Sequence, residues 1–164
     1  MLPEEITKFI GQESSTSIFE VEREAIRRFA DAVDDSNPLY WDEDYAKKSR
    51  YGSIIAPPGF ISSPWFSGRP TKWPKRGETT AKGRRNLVIA LVKAGFSRIL
   101  DGGMEYEFSS PVRAGDTLTA TAKIKDIIGR KGSTGKMVFL ITETTYINQN
   151  GETVAKARAT SIHR

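Results

Sequence analysis

At 164 residues the chain is long enough for one domain with its own core, and it has no cysteine and one histidine. Disulfides, thiolate catalysis and most zinc sites are therefore excluded, and we predict no metal. The net charge of +5 comes from 25 basic and 20 acidic residues, and seven of the bases lie between Arg69 and Arg85 beside one acid. Because that excess occupies one stretch without an aromatic–basic platform, a nucleic-acid partner is the least favoured class.

The first residues carry acids where a signal peptide needs bases, and no apolar run approaches the roughly 18 residues of a membrane helix. We therefore expect a cytoplasmic protein without a membrane contact, folded as one domain over residues 1–164. Residues 4–10 form a short amphipathic piece that ends at Gly11, and residues 17–21 (SIFEV) have the composition of a strand.

A helix is predicted from Glu22 or Arg23, because apolar side chains recur at helical spacing at Ala25, Ile26, Phe29, Ala30 and Val33. Residues 35–38 (DSNP) should end it in a polar turn, since a residue before proline is disfavoured in the α region. Asp42 is then a candidate N-cap of a second short helix.

The middle of the chain gives weaker signals. Proline is tolerated in the first turn of a helix, so the segment after Pro57 and Pro58 is predicted to be a buried helix kinked at Pro64. Residues 69–85 are rich in Pro, Gly and Lys without a period, which indicates a long loop. The apolar stretch 86–94 fits a helix or a strand equally well.

From residue 98 onward the pattern indicates strands. Met104, Tyr106 and Phe108 alternate with polar residues, and so do the side chains of residues 118–125, so each strand should have one buried face. Residues 129–135 should form a turn, 136–148 a long strand, Asn150-Gly151 a hairpin turn and 153–162 the last strand. Helices followed by consecutive strands predict an α+β domain with an antiparallel sheet.

Three segments together resemble the MaoC-like hot-dog dehydratases and hydratases, in particular their N-terminal dehydratase module. They are FEVEREAIRRFADAVDDSNPLYWDEDYA, YGSIIAPPGF and FSSPVRAGDTL. The resemblance implies a long antiparallel sheet wrapped around a central helix, which would start near Pro57 or Pro58, and two hot dogs paired side by side.

Active members of that family use an Asp and a His five residues later to hydrate or dehydrate acyl thioesters. On this chain the Asp position falls on Asp35, the following Asn on Asn37, and the His position on Tyr40. Deprotonating water requires a group whose pKa can lie near neutrality, and the unperturbed tyrosine pKa of about 10 makes Tyr40 a poor substitute.

The family also polarises the thioester carbonyl with backbone N–H groups of a His-Gly pair, which resembles Ala56-Pro57-Pro58 here. Proline has no N–H group, so these donors are missing as well. The resemblance further implies substrate contacts at Pro57, Pro58, Gly59, Phe60 and Trp65. Phosphates of coenzyme A or of a carrier protein would contact Arg69, Lys72, Arg84 and Arg85.

We therefore predict a subunit that shapes an acyl-chain tunnel while a second MaoC-like subunit supplies Asp and His, acting on (R)-3-hydroxyacyl or trans-2-enoyl thioesters without a cofactor. The substrate would be an acyl-CoA or an acyl carrier protein. Two alternatives stay open: a homodimeric thioesterase or hydratase using Asp35, and a non-enzymatic acyl-CoA-binding module. Asp35 also suits a structural turn, Tyr40 and Trp41 suit core or interface anchors, and His163 suits a residue of the tail or last strand.

Overall fold

The computed structural model describes residues 2–63, 82–133 and 135–164. Its strands form one five-stranded antiparallel sheet in the order β1-β3-β4-β5-β2. The strands are β1 (Glu13–Glu20), β2 (Ile99–Phe108), β3 (Thr117–Gly132), β4 (Gly135–Ile147) and β5 (Thr153–His163). The predicted turn at Asn150-Gly151 is present, with Gly151 at φ 80°. Consecutive hairpins join β3, β4 and β5, so β1 and β2 form the edges of the sheet.

Within the described residues, four helices and two single 3₁₀ turns accompany the sheet. The helices are α1 (Glu4–Thr7), α2 (Arg23–Ala32), α3 (Glu43–Lys48) and α4 (Lys82–Lys93), and the turns are Pro38–Tyr40 and Phe60–Ser62. The predicted cap of α3 is confirmed, because the Asp42 carboxylate accepts the N–H groups of Asp44 and Tyr45 at 2.9 and 3.0 Å. In the described part of the chain, no helix is long and apolar enough to cross a membrane.

The predicted helix at Pro57-Pro58 is wrong over the residues that the structure describes. Gly59 adopts φ 87°, a left-handed conformation that breaks any helix begun at the prolines. Only the 3₁₀ turn Phe60–Ser62 follows, and Ser63 is already extended. The predicted kink at Pro64 lies outside the described residues.

The predicted loop over residues 69–85 is also wrong at its end, because α4 begins at Lys82. Arg84 and Arg85 therefore lie in the first turn of a helix, and the ambiguous stretch 86–94 is mainly helical. The predicted turn at 129–135 is shorter than expected, since β3 continues to Gly132 and β4 starts at Gly135, its cross-strand partner.

Two hydrophobic clusters cover opposite ends of the same face of the sheet, which we call the inner face. The first cluster joins α2 and the Pro38–Tyr40 turn to the sheet through Ile26, Tyr40, Phe60, Leu118 and Tyr146. The second joins α1 and α4 to the sheet through Ile6, Leu87, Leu91, Ile127 and Leu140. Along β4, Leu140 belongs to the second cluster and Tyr146 to the first, about 20 Å apart at the usual rise of a strand.

The predicted buried face of β2 is exposed in this chain. Met104, Tyr106 and Phe108 pair with Ala159, Ala157 and Ala155 of β5, so they do lie on the inner face. Their exposed fractions are nevertheless 46%, 37% and 45%. An outermost strand has a neighbour on one side only, so alternation along the sequence assigns a face without ensuring that the face is covered.

Candidate active site

The turn that carries Asp35, Asn37 and Tyr40 is held by its own polar side chains. The Asp35 carboxylate accepts the backbone N–H of Asn37 at 3.1 Å, and the Asn37 side chain accepts that of Leu39 at 3.1 Å. The Trp41 indole donates to the Asp35 carbonyl at 3.0 Å. Asp and Asn side chains commonly bond backbone groups two residues on, which explains why this sequence forms a tight turn here.

Tyr40 and Asn37 open onto a cleft of about 590 Å³. Its walls come from three separate parts of the chain: the turn at 37–40, residues 50–61, and residues 108–112, which begin with the last residue of β2. The lining includes Arg50, Tyr51, Pro57, Pro58, Ile61 and Phe108. The structure thus brings together four of the predicted site residues, namely Asn37, Tyr40, Pro57 and Pro58.

The wall at Ala56–Pro58 has no backbone N–H group to offer a substrate. The Ala56 N–H already donates to the Val112 carbonyl at 2.8 Å, beside the bridge that pairs Ile55 with Arg113. Pro57 and Pro58 have no N–H group. A thioester carbonyl placed at this wall would find no oxyanion donor from these three residues.

Tyr40 is 7% exposed and belongs to the first hydrophobic cluster. Burial raises the pKa of its hydroxyl, and the nearby Asp35 and Tyr51 raise that pKa further. Among the residues that the structure describes, no hydrogen bond involves this hydroxyl. Tyr40 therefore stays protonated at neutral pH and cannot deprotonate a water molecule, although it can donate a hydrogen bond into the cleft.

Asp35 faces a different depression from Tyr40. It lines a small pocket with Asp31, Asp34, Trp41 and Asp42, while Asn37 and Tyr40 line the cleft. Its carboxylate is engaged with the Asn37 N–H. The structure therefore separates the predicted carboxylate from the predicted substrate wall.

The remaining predicted site residues are dispersed. Phe60 is fully buried and packs edge-to-face on Phe29 with ring centroids 5.8 Å apart, so it supports the wall without reaching the cleft. Gly59 lies next to the Phe29 ring and the Tyr106 hydroxyl. Arg85 lies exposed on α4, and Arg84 lines a second cavity. Trp65, Arg69 and Lys72 lie outside the described residues.

This second cavity, of about 560 Å³, lies on the inner face between the two hydrophobic clusters. Its floor consists of small side chains on three neighbouring strands, which we call the inner floor: Ala122, Thr142, Thr144, Ala157 and Ala159. Ile61 lines both this cavity and the cleft, so the two spaces adjoin.

A model of the FAS1-like dehydratase domain region matches residues 8–157. The chain belongs to this family. A UPF0336 protein of Streptomyces avermitilis is 35% identical to this chain over 128 residues, covering 76% of the chain and 75% of the relative.

Two further comparisons agree with the family. A probable enoyl-CoA hydratase alpha subunit of Thermomonospora curvata is 28% identical over 141 residues, which cover 81% of this FAS1-like chain and 41% of that protein. The HadBC (3R-hydroxyacyl-ACP dehydratase) complex of Mycobacterium tuberculosis superposes with a TM-score of 0.66 at 23% identity, covering 96% of this chain and 98% of the matched one. The predicted α+β hot-dog fold is confirmed by such likenesses.

Several lining residues of this FAS1-like chain were missed by the sequence prediction. Arg50, Tyr51 and Phe108 reach the cleft only because the chain folds back on itself, and no local pattern marks them. The inner floor did leave a signal, because alanine or threonine recurs at every second position in β3, β4 and β5. Small residues on the same face of three strands indicate a space that large side chains do not fill.

His163 is confirmed as a residue of the last strand, and it is 3% exposed. Its Nε2 lies 3.1 Å from the Ser161 hydroxyl, and burial lowers the pKa of the ring, as does the nearby Arg84. Within the described residues, no group of His, Asp and Glu side chains has an arrangement that could hold a metal ion.

Proposed function

We propose that this chain is the non-catalytic subunit of a two-hot-dog acyl-thioester hydratase or dehydratase. It shapes the cavity for the acyl group, and a MaoC-like partner supplies the Asp and His that move protons. The observation that carries the proposal is that two features line the same cleft: a buried, protonated Tyr40, and the wall at Ala56–Pro58, whose backbone N–H groups are absent or already bonded. A cleft whose described lining has no carboxylate or histidine, and whose wall at Ala56–Pro58 has no free amide, favours binding over catalysis.

Edge strand β2 supports a hot-dog partner. Large apolar side chains on it are at least 37% exposed: Ile99, Leu100, Met104, Tyr106 and Phe108. One side of β2 pairs with β5, and among the residues that the structure describes no strand pairs with its other side. An exposed apolar edge strand is prone to pair with another chain, and joining a second sheet there would cover both the backbone groups and the side chains.

The names of two similar proteins support the reaction class that we propose. The Thermomonospora protein is named a probable enoyl-CoA hydratase subunit, and the superposed Mycobacterium complex is a 3R-hydroxyacyl-ACP dehydratase. For this chain we propose the same class of reaction, the interconversion of trans-2-enoyl and (R)-3-hydroxyacyl thioesters. Arg84 and Arg85 are the described residues that we propose for contact with a phosphate of coenzyme A or of the carrier protein.

The test is to purify the chain alone and co-expressed with the product of the neighbouring reading frame, and to follow hydration of crotonyl-CoA. We expect turnover by the complex and none above background by the chain alone. Substituting the Asp or His of the partner should abolish turnover, whereas Tyr40→Phe in this chain should leave it within a few-fold of wild type.

Three outcomes would contradict the proposal. Hydration by the isolated chain would make it an enzyme in its own right. Thioester hydrolysis by the pure chain that Asp35→Asn abolishes would establish the thioesterase alternative, against which the position of Asp35 outside the cleft weighs. Ligand binding without any partner or activity would leave an acyl-CoA-binding module.

A further inference from the structure

The inner floor carries two hydroxyl groups, those of Thr142 and Thr144 on β4, at positions where an aliphatic side chain would pack as well. Its rows run across the sheet, with Ala122, Thr144 and Ala157 in one row and Thr142 and Ala159 in the next. Along β4 the two threonines occupy inner-face positions between Leu140 and Tyr146, both of which are buried. A strand that only supported a core would carry an aliphatic side chain at these positions.

The Thr142 and Thr144 hydroxyls have no protein partner among the described residues. Other inner-face hydroxyls do: Ser161 pairs with His163 at 3.1 Å, and Ser62 pairs with Tyr146 at 3.3 Å. Both threonine side chains are half-buried and line the cavity. A hydroxyl in such a place can both donate and accept, and leaving it unpaired while a ligand displaces its water costs free energy.

The cleft and the inner floor are close enough together for one extended ligand to span both. Phe108 lines the cleft and Met104 lines the cavity, and they lie four residues apart on β2, or about 13 Å. Met104 pairs with Ala159, and Ala159 pairs with Thr142, so Thr142 lies in the same cross-strand row as Met104. The hydroxyls therefore face the portion of a ligand that is remote from the cleft.

The charges along the cavity favour an uncharged group. Arg84 and Asp101 are the charged side chains among the described lining residues, and their charges are opposite. The Asp101 carboxylate accepts the Gly103 N–H at 2.9 Å. A carboxylate end group would be attracted by Arg84 and repelled by Asp101, so the two effects oppose each other. A neutral hydroxyl or keto oxygen meets no such repulsion.

We propose that the cavity selects an acyl group with a neutral oxygen substituent far from the thioester, which Thr142 and Thr144 recognise by hydrogen bonds. The ligand class is thus an oxygenated acyl thioester as opposed to a plain alkyl one. This inference rests on the proposed function for the thioester and adds the chemistry of the acyl group.

The experiment compares dodecanoyl-CoA with ω-hydroxydodecanoyl-CoA, titrated into the full chain by calorimetry. The variants are Thr142→Val/Thr144→Val, which removes both hydroxyls at nearly constant shape, and Thr145→Val, which makes the same change on the opposite face of β4. We expect the wild type and Thr145→Val to bind the hydroxylated thioester more tightly than the plain one, by about two- to tenfold for each threonine hydroxyl that bonds it. The double variant should lose that preference and still bind dodecanoyl-CoA at least as tightly as wild type does.

Equal affinity of the wild type for the two thioesters would overturn the inference. So would a preference that survives in the double variant, or the absence of binding of either thioester to the chain. Its failure is distinguishable from failure of the proposed function. If the chain binds both thioesters equally and its complex is active, only the inference about the acyl group fails. If the chain prefers the hydroxylated thioester but no complex is active, only the proposed hydratase role fails.

Discussion

At the scale of single residues, His163 shows how burial changes the chemistry of a side chain that composition alone leaves undefined. It lies on β5 opposite Val138 and Ile99, in a largely apolar setting, with Ser161 as its polar contact. Burial lowers the pKa of the ring, and the positive charge of Arg84 lowers it further. The folded protein therefore holds His163 neutral at pH values where an unfolded chain begins to protonate it.

The consequence is a pH-dependent stability. In the unfolded state the His163 ring has a pKa of about 6.5, and in the folded state its pKa is lower. The stability that the neutral ring contributes is therefore complete above the unfolded pKa and is lost as pH falls below it. We expect the free energy of unfolding to decline from about pH 7 toward pH 5, a window chosen from the unperturbed His and carboxylate values.

Urea denaturation across this pH range measures the effect. Arg84→Met should flatten the decline, because removing the positive charge brings the folded pKa closer to the unfolded one. Arg85→Met is the matched control, since Arg85 is exposed and is not among the groups that shift the His163 pKa. A decline of the same steepness in both variants would show that Arg84 does not act on this ring.

At the scale of elements, the two edge strands differ in what they expose. On β2 the exposed apolar side chains Met104, Tyr106 and Phe108 form a continuous inner-face stripe, and the Tyr106 and Phe108 rings stack with centroids 5.8 Å apart. On β1 a large apolar residue, Ile18, is 44% exposed. Because of this stripe, β2, and not β1, is the edge that we propose for contact with a partner sheet.

We expect Met104→Lys to prevent assembly with the partner, whereas Ile18→Lys, the matched change on the other edge, leaves it intact. Light scattering of the purified mixtures measures the mass of the assembly. Both positions are exposed in the single chain, so the free energy of unfolding of each isolated variant should stay within about 0.5 kcal/mol of wild type. Loss of assembly in Ile18→Lys alone would place the interface on β1.

At the scale of the whole molecule, the cleft is built from distant segments, and the two features that we propose make it non-catalytic come from different parts of the chain. Tyr40 belongs to the turn after α2, the blocked amide at Ala56 depends on Val112, and the two prolines belong to neither. We therefore expect that restoring the histidine alone does not give the chain hydratase activity.

Tyr40→His tests this point. We expect the isolated variant to hydrate crotonyl-CoA no faster than wild type, because the histidine would face a wall at Ala56, Pro57 and Pro58 that has no oxyanion donor. The variant should still fold, which circular dichroism can check, since a somewhat smaller ring replaces Tyr40. Measurable hydration by Tyr40→His alone would show that the base was the only missing part.

Local patterns sufficed for much of the fold. The stripe of α2, the Asp42 cap, the Asn150-Gly151 turn and the alternation of β3 each depend on neighbouring residues, and these predictions are confirmed. The exception is Val33, which was placed in the stripe but follows the end of α2 and is exposed. The helix predicted at Pro57-Pro58 is wrong, because proline is compatible with a helix start but the left-handed Gly59 that follows ends any helix there.

The sequence by itself determined the α+β class, the turn that carries Asp35, Asn37 and Tyr40, and the absence of a histidine there, because these depend on residue type and on contacts a few positions apart. Only the tertiary structure decided that Asp35 lies outside the cleft, that the Ala56 amide is already bonded, and that the small residues of three strands form one floor. The physical reason is the same in each case. A hydrogen-bond partner or a shared wall comes from residues far away in sequence, and sheet register, which no local pattern specifies, brings them together.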